Sequence, residues 1–449
     1  MSPPFIPTSD TVILFAPKCR HSTPHVSTLT SHHSPPPNRP QLQIGYCTNV
    51  HAGIDLASIR DNLTEYAVAV RRRLHQTQAG DSQQSGLDTF DSLGVGLWIP
   101  DQASRELADG ALTSFREFLQ TNRLTAYTIN GFPFANFHGD HVKQRVYLPT
   151  WAETDRLEYT KRLATLLAAL LPASQEVGSI STLPIGWPDN PFADEPTGAD
   201  NVDIAGTHFR ELAEFLDRLY QETGKRIVVA IEPEPGCIID TVDGMVRFFD
   251  QYLGSETHRR YITVCHDICH SAVMNESQRM VIQTYGEAGI GIGKVQVSSA
   301  IVADWESIGG NDRAAAFEQL AGFAEDRYLH QTGQIGRDGS FKLAQDLPEL
   351  VARTRVVDLD HVDRWVIHFH VPIFLERFGL LTTSRDGVVE CLNALGDPSI
   401  DVDFTGHLEV ETYAWTVLPE AMRQRGLAED IAGELQWLVR QIGQCRANS

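Results

Sequence analysis

From residue 42 onward the chain alternates short apolar runs with longer stretches whose apolar residues recur every three or four positions. The short runs fill 42–49, 93–99, 124–130, 177–183, 227–232, 261–267 and 291–298. Between the first two, Leu56, Ile59, Leu63, Ala67, Val70 and Leu74 put one apolar stripe on a helix. A strand that is apolar along its whole length is buried on both faces, and a helix between successive strands makes them parallel. The repeated βα unit limits the chain to an open doubly wound sheet or a closed barrel. No GxGxxG follows the first strand, and no Walker phosphate loop occurs. The expected fold is therefore an α/β (β/α)8 TIM barrel.

Seven strands precede residue 300, and two more candidates follow, at 365–371 and 406–412, with a helix at 385–395 between them. We assign 406–412 to the eighth place, the reverse assignment of the two candidates remaining open. Residues 365–371 then belong to a long insertion between strands 7 and 8, lying over the barrel mouth, in which 300–364 carries a small hairpin. Residues 1–40 hold nine prolines and a single acid, Asp10. They have too little to bury and read as a disordered extension, leaving 41–449 as the barrel domain.

The net charge of −21 excludes a chain whose affinity comes from gripping phosphate backbones, so no nucleic-acid partner is expected. No apolar run approaches the roughly 20 residues of a membrane span. Seven scattered cysteines do not form a disulfide framework, which points to a reducing, cytoplasmic compartment.

Three of the apolar runs end in carboxylates: Glu232 in Val-Val-Ala-Ile-Glu-Pro-Glu-Pro-Gly (228–236), Asp267 in Ile-Thr-Val-Cys-His-Asp (262–267), and Glu411 in His-Leu-Glu-Val-Glu (407–411). Burying such acids is costly unless they are paired, protonated or bound to a cation. At the C-terminal end of a parallel barrel they converge where a divalent metal and acid/base chemistry would sit. Glu232 and Glu411 are the expected catalytic residues. The expected metal ligands are Glu232, Asp267, Glu411 and His270, which lies three residues past Asp267. Glu409 shares a strand face with Glu411, and Lys294 lies deeper than Gln296 on the seventh strand. Glu234, beyond a proline, belongs to the loop. Gln296, His368, His370, Asn130, His138 and Lys143 are expected to meet substrate. His368 and His370 share one strand face and read equally as ligands, substrate contacts or hydrogen-bonded barrel histidines. Phe132, Phe134 and Phe137, beside Asn130, His138 and Lys143, form either a pocket wall or the loop's own small core.

The Asp267-x-x-His270 element resembles the sixth strand of the xylose-isomerase-like TIM barrels. Glu232 in Ala-Ile-Glu-Pro and Glu411 in Val-Glu-Thr resemble that superfamily's fifth- and eighth-strand ligands. Gln296 stands where the superfamily carries a seventh-strand histidine, which either costs the chain its metal or hands the vacancy to His270, His368 or His370. An ordered set of motifs, including Gly45-Tyr-Cys-Thr-Asn-Val-His51, Glu232-Pro-Glu-Pro-Gly236, Arg327-Tyr-Leu-His-Gln331 and His368-Phe-His-Val-Pro372, is similar to the EboE family of metabolite-traffic proteins. That resemblance implies a small-molecule metabolite as partner, with other proteins of one gene cluster. The expected function is a divalent-metal-dependent isomerase, epimerase or lyase acting on a sugar- or polyol-like precursor. The alternative is a non-catalytic metabolite carrier. Oxygen-rich ligands favour Mn2+ or Mg2+ over Zn2+, and a captured histidine would move the preference toward Zn2+. Phosphodiester hydrolysis is disfavoured by Asn130 at the end of strand three and by the charge.

Overall fold

The computed structural model describes residues 40–78, 91–136, 138–139, 141–193, 196–412, 418–419 and 426–448. Apart from Pro40, the expected N-terminal extension lies outside the described residues, as does Phe137.

Seven strands arrive in sequence: β1 (Gln43–Cys47), β2 (Leu93–Trp98), β3 (Leu124–Asn130), β4 (Val177–Thr182), β5 (Arg226–Ile231), β6 (Ile262–Asp267) and β7 (Ile292–Val297). Six more, β8 (Ile301–Asp304), β9 (Thr332–Gly336), β10 (Phe341–Ala344), β11 (Val362–Ile367), β12 (Arg377–Phe378) and β13 (Leu381–Thr383), form a separate sheet in the order β10-β9-β11-β8-β13-β12. The chain then returns as β14 (His407–Val410), which pairs in parallel with both β7 and β1. The result is a closed barrel of order β1-β14-β7-β6-β5-β4-β3-β2. The eighth place and the insertion are as the sequence implied. The strand expected at 365–371 runs instead as β11, Val362–Ile367, antiparallel to both β8 and β9, and 368–371 continues past its end.

The helical stripe Leu56, Ile59, Leu63, Ala67, Val70 and Leu74 is buried in the main core, against the strands. Every residue of β6 and β7 is buried, as strands covered on both sides require. The barrel interior is polar. Ser179 Oγ lies 2.8 Å from His407 Nδ1 and donates to Thr128, and Asn130, Gln296, Lys294 and Glu409 form a layer above. That layer exists only because β2 offers Gly96: a Cβ there would fall on the Glu409 carboxylate.

The insertion has its own apolar core around Trp305, Trp365, Phe323 and Phe369, continuous with Trp98 on β2. Its inner end is tied down by backbone bonds, with Val371 N donating to Ser299 O (3.0 Å) and His368 N to Gln331 O (2.8 Å). The C-terminal helix Leu427–Asn448 closes the assembly. Its buried Glu434 accepts from Ile373 N (3.0 Å) and from the Thr412 hydroxyl (2.7 Å). Among the described residues no helix is long and apolar enough to cross a membrane.

Candidate active site

Asp267 ends β6 and caps the short helix Ile268–Val273. Its Oδ1 accepts the backbone N–H of His270 (2.9 Å) and the Ser298 hydroxyl (2.8 Å). The capped turn carries His270 back over the strand ends, with Nδ1 2.8 Å from the Pro233 carbonyl. This is the physical content of the Asp-x-x-His spacing: one acid ends the strand, starts the helix and aims the imidazole. The other carboxylate oxygen, Asp267 Oδ2, is buried with no hydrogen-bond partner. It lies 3.9 Å from His270 Nε2 and 3.8 Å from His370 Nε2.

Glu232 follows β5 directly, and the next turn brings Glu234 to the same space. That turn closes at Gly236, whose φ of +84° and contact with the Trp187 ring leave no room for a side chain. Glu234 Oε1 accepts from Tyr147 (3.0 Å) and Gln331 (3.1 Å), while Oε2 faces His270 Nε2 at 3.3 Å. Glu411 follows β14. Its Oε1 accepts from Asn49 Nδ2 (3.2 Å) and Cys47 Sγ (3.4 Å). Ligand atoms of Glu232, Asp267 and Glu411 lie within 4.8 Å of one another. His368 and His370 reach the same cavity from the end of β11. His368 Nε2 is 3.2 Å from His270 Nε2 and 3.2 Å from His370 Nε2.

Burial raises the Glu232 carboxyl to about 8, helped by Asp267 and Glu234 and opposed by His270. Glu411 is pushed well above the usual carboxylate range, first by burial and then by Glu232 and Asp267. Burial also works against the Asp267 charge, but His270, His370 and its two hydrogen bonds outweigh it and hold that acid below its ordinary value. Burial likewise opposes a charge on His270, yet Asp267, Glu234 and Glu232 lift it to about 9. Burial lowers His370 to about 4 and His368 well below the normal imidazole value. Two carboxyls with raised proton affinity therefore stand beside one held below its ordinary value, the arrangement from which acid/base pairs are built.

Gln296 lines the cavity between these acids. Its Nε2 donates to Asn130 Oδ1 (2.9 Å), which also accepts from Lys294 (3.0 Å) and Ser181 (3.2 Å). Asn130 Nδ2 donates to Glu409 (2.7 Å), which sets the orientation of both amides. Gln296 Oε1 and Asn49 Oδ1 are left buried without hydrogen-bond partners.

The cavity thus brings together Glu232, Glu411, His270, Gln296, His368, His370, Asn130 and Lys143, with Asp267 beneath them. Lys143 is at the rim, and its ammonium pairs with Asp346 (2.9 Å) and Asp326 (3.5 Å) of the insertion. Among the described residues His138 is not in the lining, and its Nε2 sits 2.7 Å from the Asn49 carbonyl. Sequence reasoning missed Gln331 and Tyr147, which orient Glu234. Gln331 ends the Arg327-Tyr-Leu-His-Gln331 motif, which gave it no role, and Tyr147 lies in a 3-10 turn with no periodic signal.

No known protein-family profile matches the sequence, and no curated protein matches it. Solved structures with a similar fold include a xylose isomerase-like TIM barrel protein from Mycobacterium smegmatis in complex with magnesium (10% identity, 90% of this chain and 97% of that chain, TM-score 0.46). An L-ribulose 3-epimerase gives 11% identity, 91% and 97% coverage, and a TM-score of 0.44. A xylose isomerase domain protein from Alicyclobacillus acidocaldarius subsp. acidocaldarius gives 12%, 90% and 100%, and 0.43. With likeness at this level, the barrel stands on its own strand order and register.

Proposed function

We propose that this protein is a divalent-metal-dependent acid–base enzyme, an isomerase, epimerase or lyase, acting on a small polyhydroxylated metabolite. One observation carries the reading. Glu232 and Glu411 are buried at the cavity within 4.8 Å of each other and of Asp267, so two carboxyls with raised proton affinity flank one that stays charged.

Asp267 and His270 would hold the ion, since its orphaned buried oxygen and the imidazole beside it are suited to a cation. A divalent ion there supplies Lewis acidity toward a substrate carbonyl or hydroxyl oxygen. The chain's own residues do the rest. Of the Glu232–Glu411 pair, the ionised member removes the proton next to the carbonyl, and the protonated member returns one. Asn49 fixes Glu411 through its Nδ2, so the carboxyl is aimed before substrate arrives. The two orphaned acceptors, Asn49 Oδ1 and Gln296 Oε1, suit substrate hydroxyl donors. The insertion lends Tyr328, Leu329, His368 and His370 to the cavity wall. The EboE-like motifs support placing this chemistry in the making or moving of a secondary metabolite, beside other proteins of one gene cluster.

A second reading, a carrier that binds the metabolite unchanged, is favoured by Gln296 at the seventh-strand position. Incubating the metal-supplemented protein with ketoses, aldoses and inososes in deuterated water separates the two. Deuterium entering a carbon-bound position of one substrate, lost in Glu232→Gln and Glu411→Gln, supports the enzyme. A ligand that binds and is recovered without exchange supports the carrier.

A further inference from the structure

The geometry points to a histidine-rich transition-metal centre, made by Nε2 of His270, His368 and His370 with Asp267 Oδ2, and completed by the insertion rather than by the barrel. This rests on reading the mouth as a metal-dependent site, and it names the ligands and the class of ion.

The tautomers carry the inference. His270 Nδ1 faces the Pro233 carbonyl (2.8 Å) and His370 Nδ1 faces the Glu411 carbonyl (3.1 Å). A carbonyl only accepts, so both Nδ1 atoms bear hydrogen. His368 Nδ1 is 2.8 Å from Gln331 Oε1. The Gln331 amide cannot be turned round, because its Nε2 donates to Glu234 Oε1 (3.1 Å), Pro235 O (3.0 Å) and the Tyr147 hydroxyl (3.2 Å). His368 Nδ1 is therefore also a donor. With hydrogen on every Nδ1, each Nε2 presents a lone pair unless its ring takes a second proton, which the acids around His270 favour on that ring alone. Those lone pairs meet across two contacts of 3.2 Å, with His368 in the middle. Lone pairs facing at that distance need a cation between them. One proton serves only one of the two contacts, whereas a metal ion serves both.

Two ligand nitrogens about 2.0–2.1 Å from a tetrahedral zinc ion are roughly 3.3 Å apart, close to both contacts. The fourth donor is on hand: Asp267 Oδ2 is buried, without a hydrogen-bond partner, and 3.8 and 3.9 Å from the two outer histidines. Ligand atoms of Asp267, His270 and His370 all lie within 4.8 Å of one another. Each imidazole hands its other N–H to a fixed acceptor, the arrangement that orients metal-bound histidines and raises their basicity. Three imidazoles move the preferred ion from Mg2+ to Zn2+ or Co2+. Glu232 and Glu411 then remain outside the ligand set, available to carry protons.

The test is metal binding by the full-length protein, stripped with a chelator and titrated with Co2+, Zn2+ and Mg2+. Ligand-field absorption reports Co2+, and competition with a chromophoric chelator reports Zn2+. One equivalent of Co2+ or Zn2+ should bind far more tightly than Mg2+. Pulsed electron paramagnetic resonance of the Cu2+-loaded wild type should count more than one imidazole. His368→Gln and His370→Gln should lose most of the affinity, and Gln331→Leu should lose roughly 10–100-fold as an outer partner. Glu232→Gln and Glu411→Gln should keep it. The wild-type spectra decide the matter even if a histidine variant fails to fold. If Mg2+ binds best, or Glu232→Gln and Glu411→Gln abolish binding while the histidine variants retain it, the histidine centre is wrong and the metalloenzyme reading survives. Tight histidine ligation with no turnover leaves the centre standing and overturns the enzyme reading.

Discussion

Lys294 and Glu409 form an ion pair sealed inside the barrel, with neither side chain exposed to solvent. Burial opposes the lysine charge, but the Glu409 carboxylate more than compensates and raises Lys294 above its normal value. Removing one partner leaves the other charge buried alone. Lys294→Met should therefore lower the unfolding free energy by about 3–5 kcal/mol, and adding Glu409→Gln should recover part of the loss. Urea midpoints of the single and double variants check this. A Lys294→Met protein within 1 kcal/mol of wild type, on the order of a surface change, would refute the sealed pair.

Glu232→Gln and Glu411→Gln should separate activity from stability. Each should reduce turnover by about 100-fold or more, the usual contribution of a positioned proton carrier. Neither should lower the melting temperature at pH 8, because each removes a buried acid whose ionised form burial disfavours. Calorimetry beside the deuterium-exchange assay reads both. Loss of stability in both variants would mean that the carboxylates are structural.

Glu434 gives a pH dependence whose sign is fixed. Burial raises its carboxyl from 4.5 to about 8. Below about 4.5 it is protonated in both folded and unfolded chains. Between 4.5 and 8 the folded state binds the extra proton, so the stability this group contributes falls as pH rises through that window. Glu434→Gln keeps an acceptor for Ile373 N and the Thr412 hydroxyl but cannot titrate. The slope of its unfolding free energy against pH should be flatter over that range. Identical slopes would show that Glu434 is already ionised when folded.

Chelation should loosen the insertion more than the barrel. His368 and His370 come from the insertion, while Asp267 and His270 come from the barrel, so an ion joins the two. At 100 times its dissociation constant the ion stabilises the native state by about 2.7 kcal/mol. Hydrogen exchange of amides at 327–336 and 362–371 should speed up on chelation and slow again when Zn2+ is restored. Uniform acceleration across the barrel strands would argue against a joint at that place.

The strand-and-helix alternation made the barrel legible, because a parallel sheet covered on both faces demands apolar runs and its crossovers demand amphipathic helices. The acids at the strand ends were legible for a related reason: Glu232, Asp267 and Glu411 interrupt apolar runs where a buried charge needs a purpose. The Asp267-x-x-His270 spacing is local, a cap and its helix turn, so it too could be read along the chain.

The roles of His368 and His370 were not legible. They were expected to share a strand face, yet β11 stops at Ile367 and both lie just past its end, where alternation does not say what a side chain meets. Their meeting with His270 spans 98 residues, and the acceptors that set their tautomers, Gln331 and the Glu411 carbonyl, come from two further segments. The same holds for the orientation of Gln296, decided by Asn130 and Lys294 across the barrel. Sequence alone determined the barrel, its first seven strands and the acids at its mouth, because periodicity and the cost of burial act within each segment. Only the tertiary structure decided which nitrogens face one another, because hydrogen-bond direction depends on partners that the chain brings together from far apart.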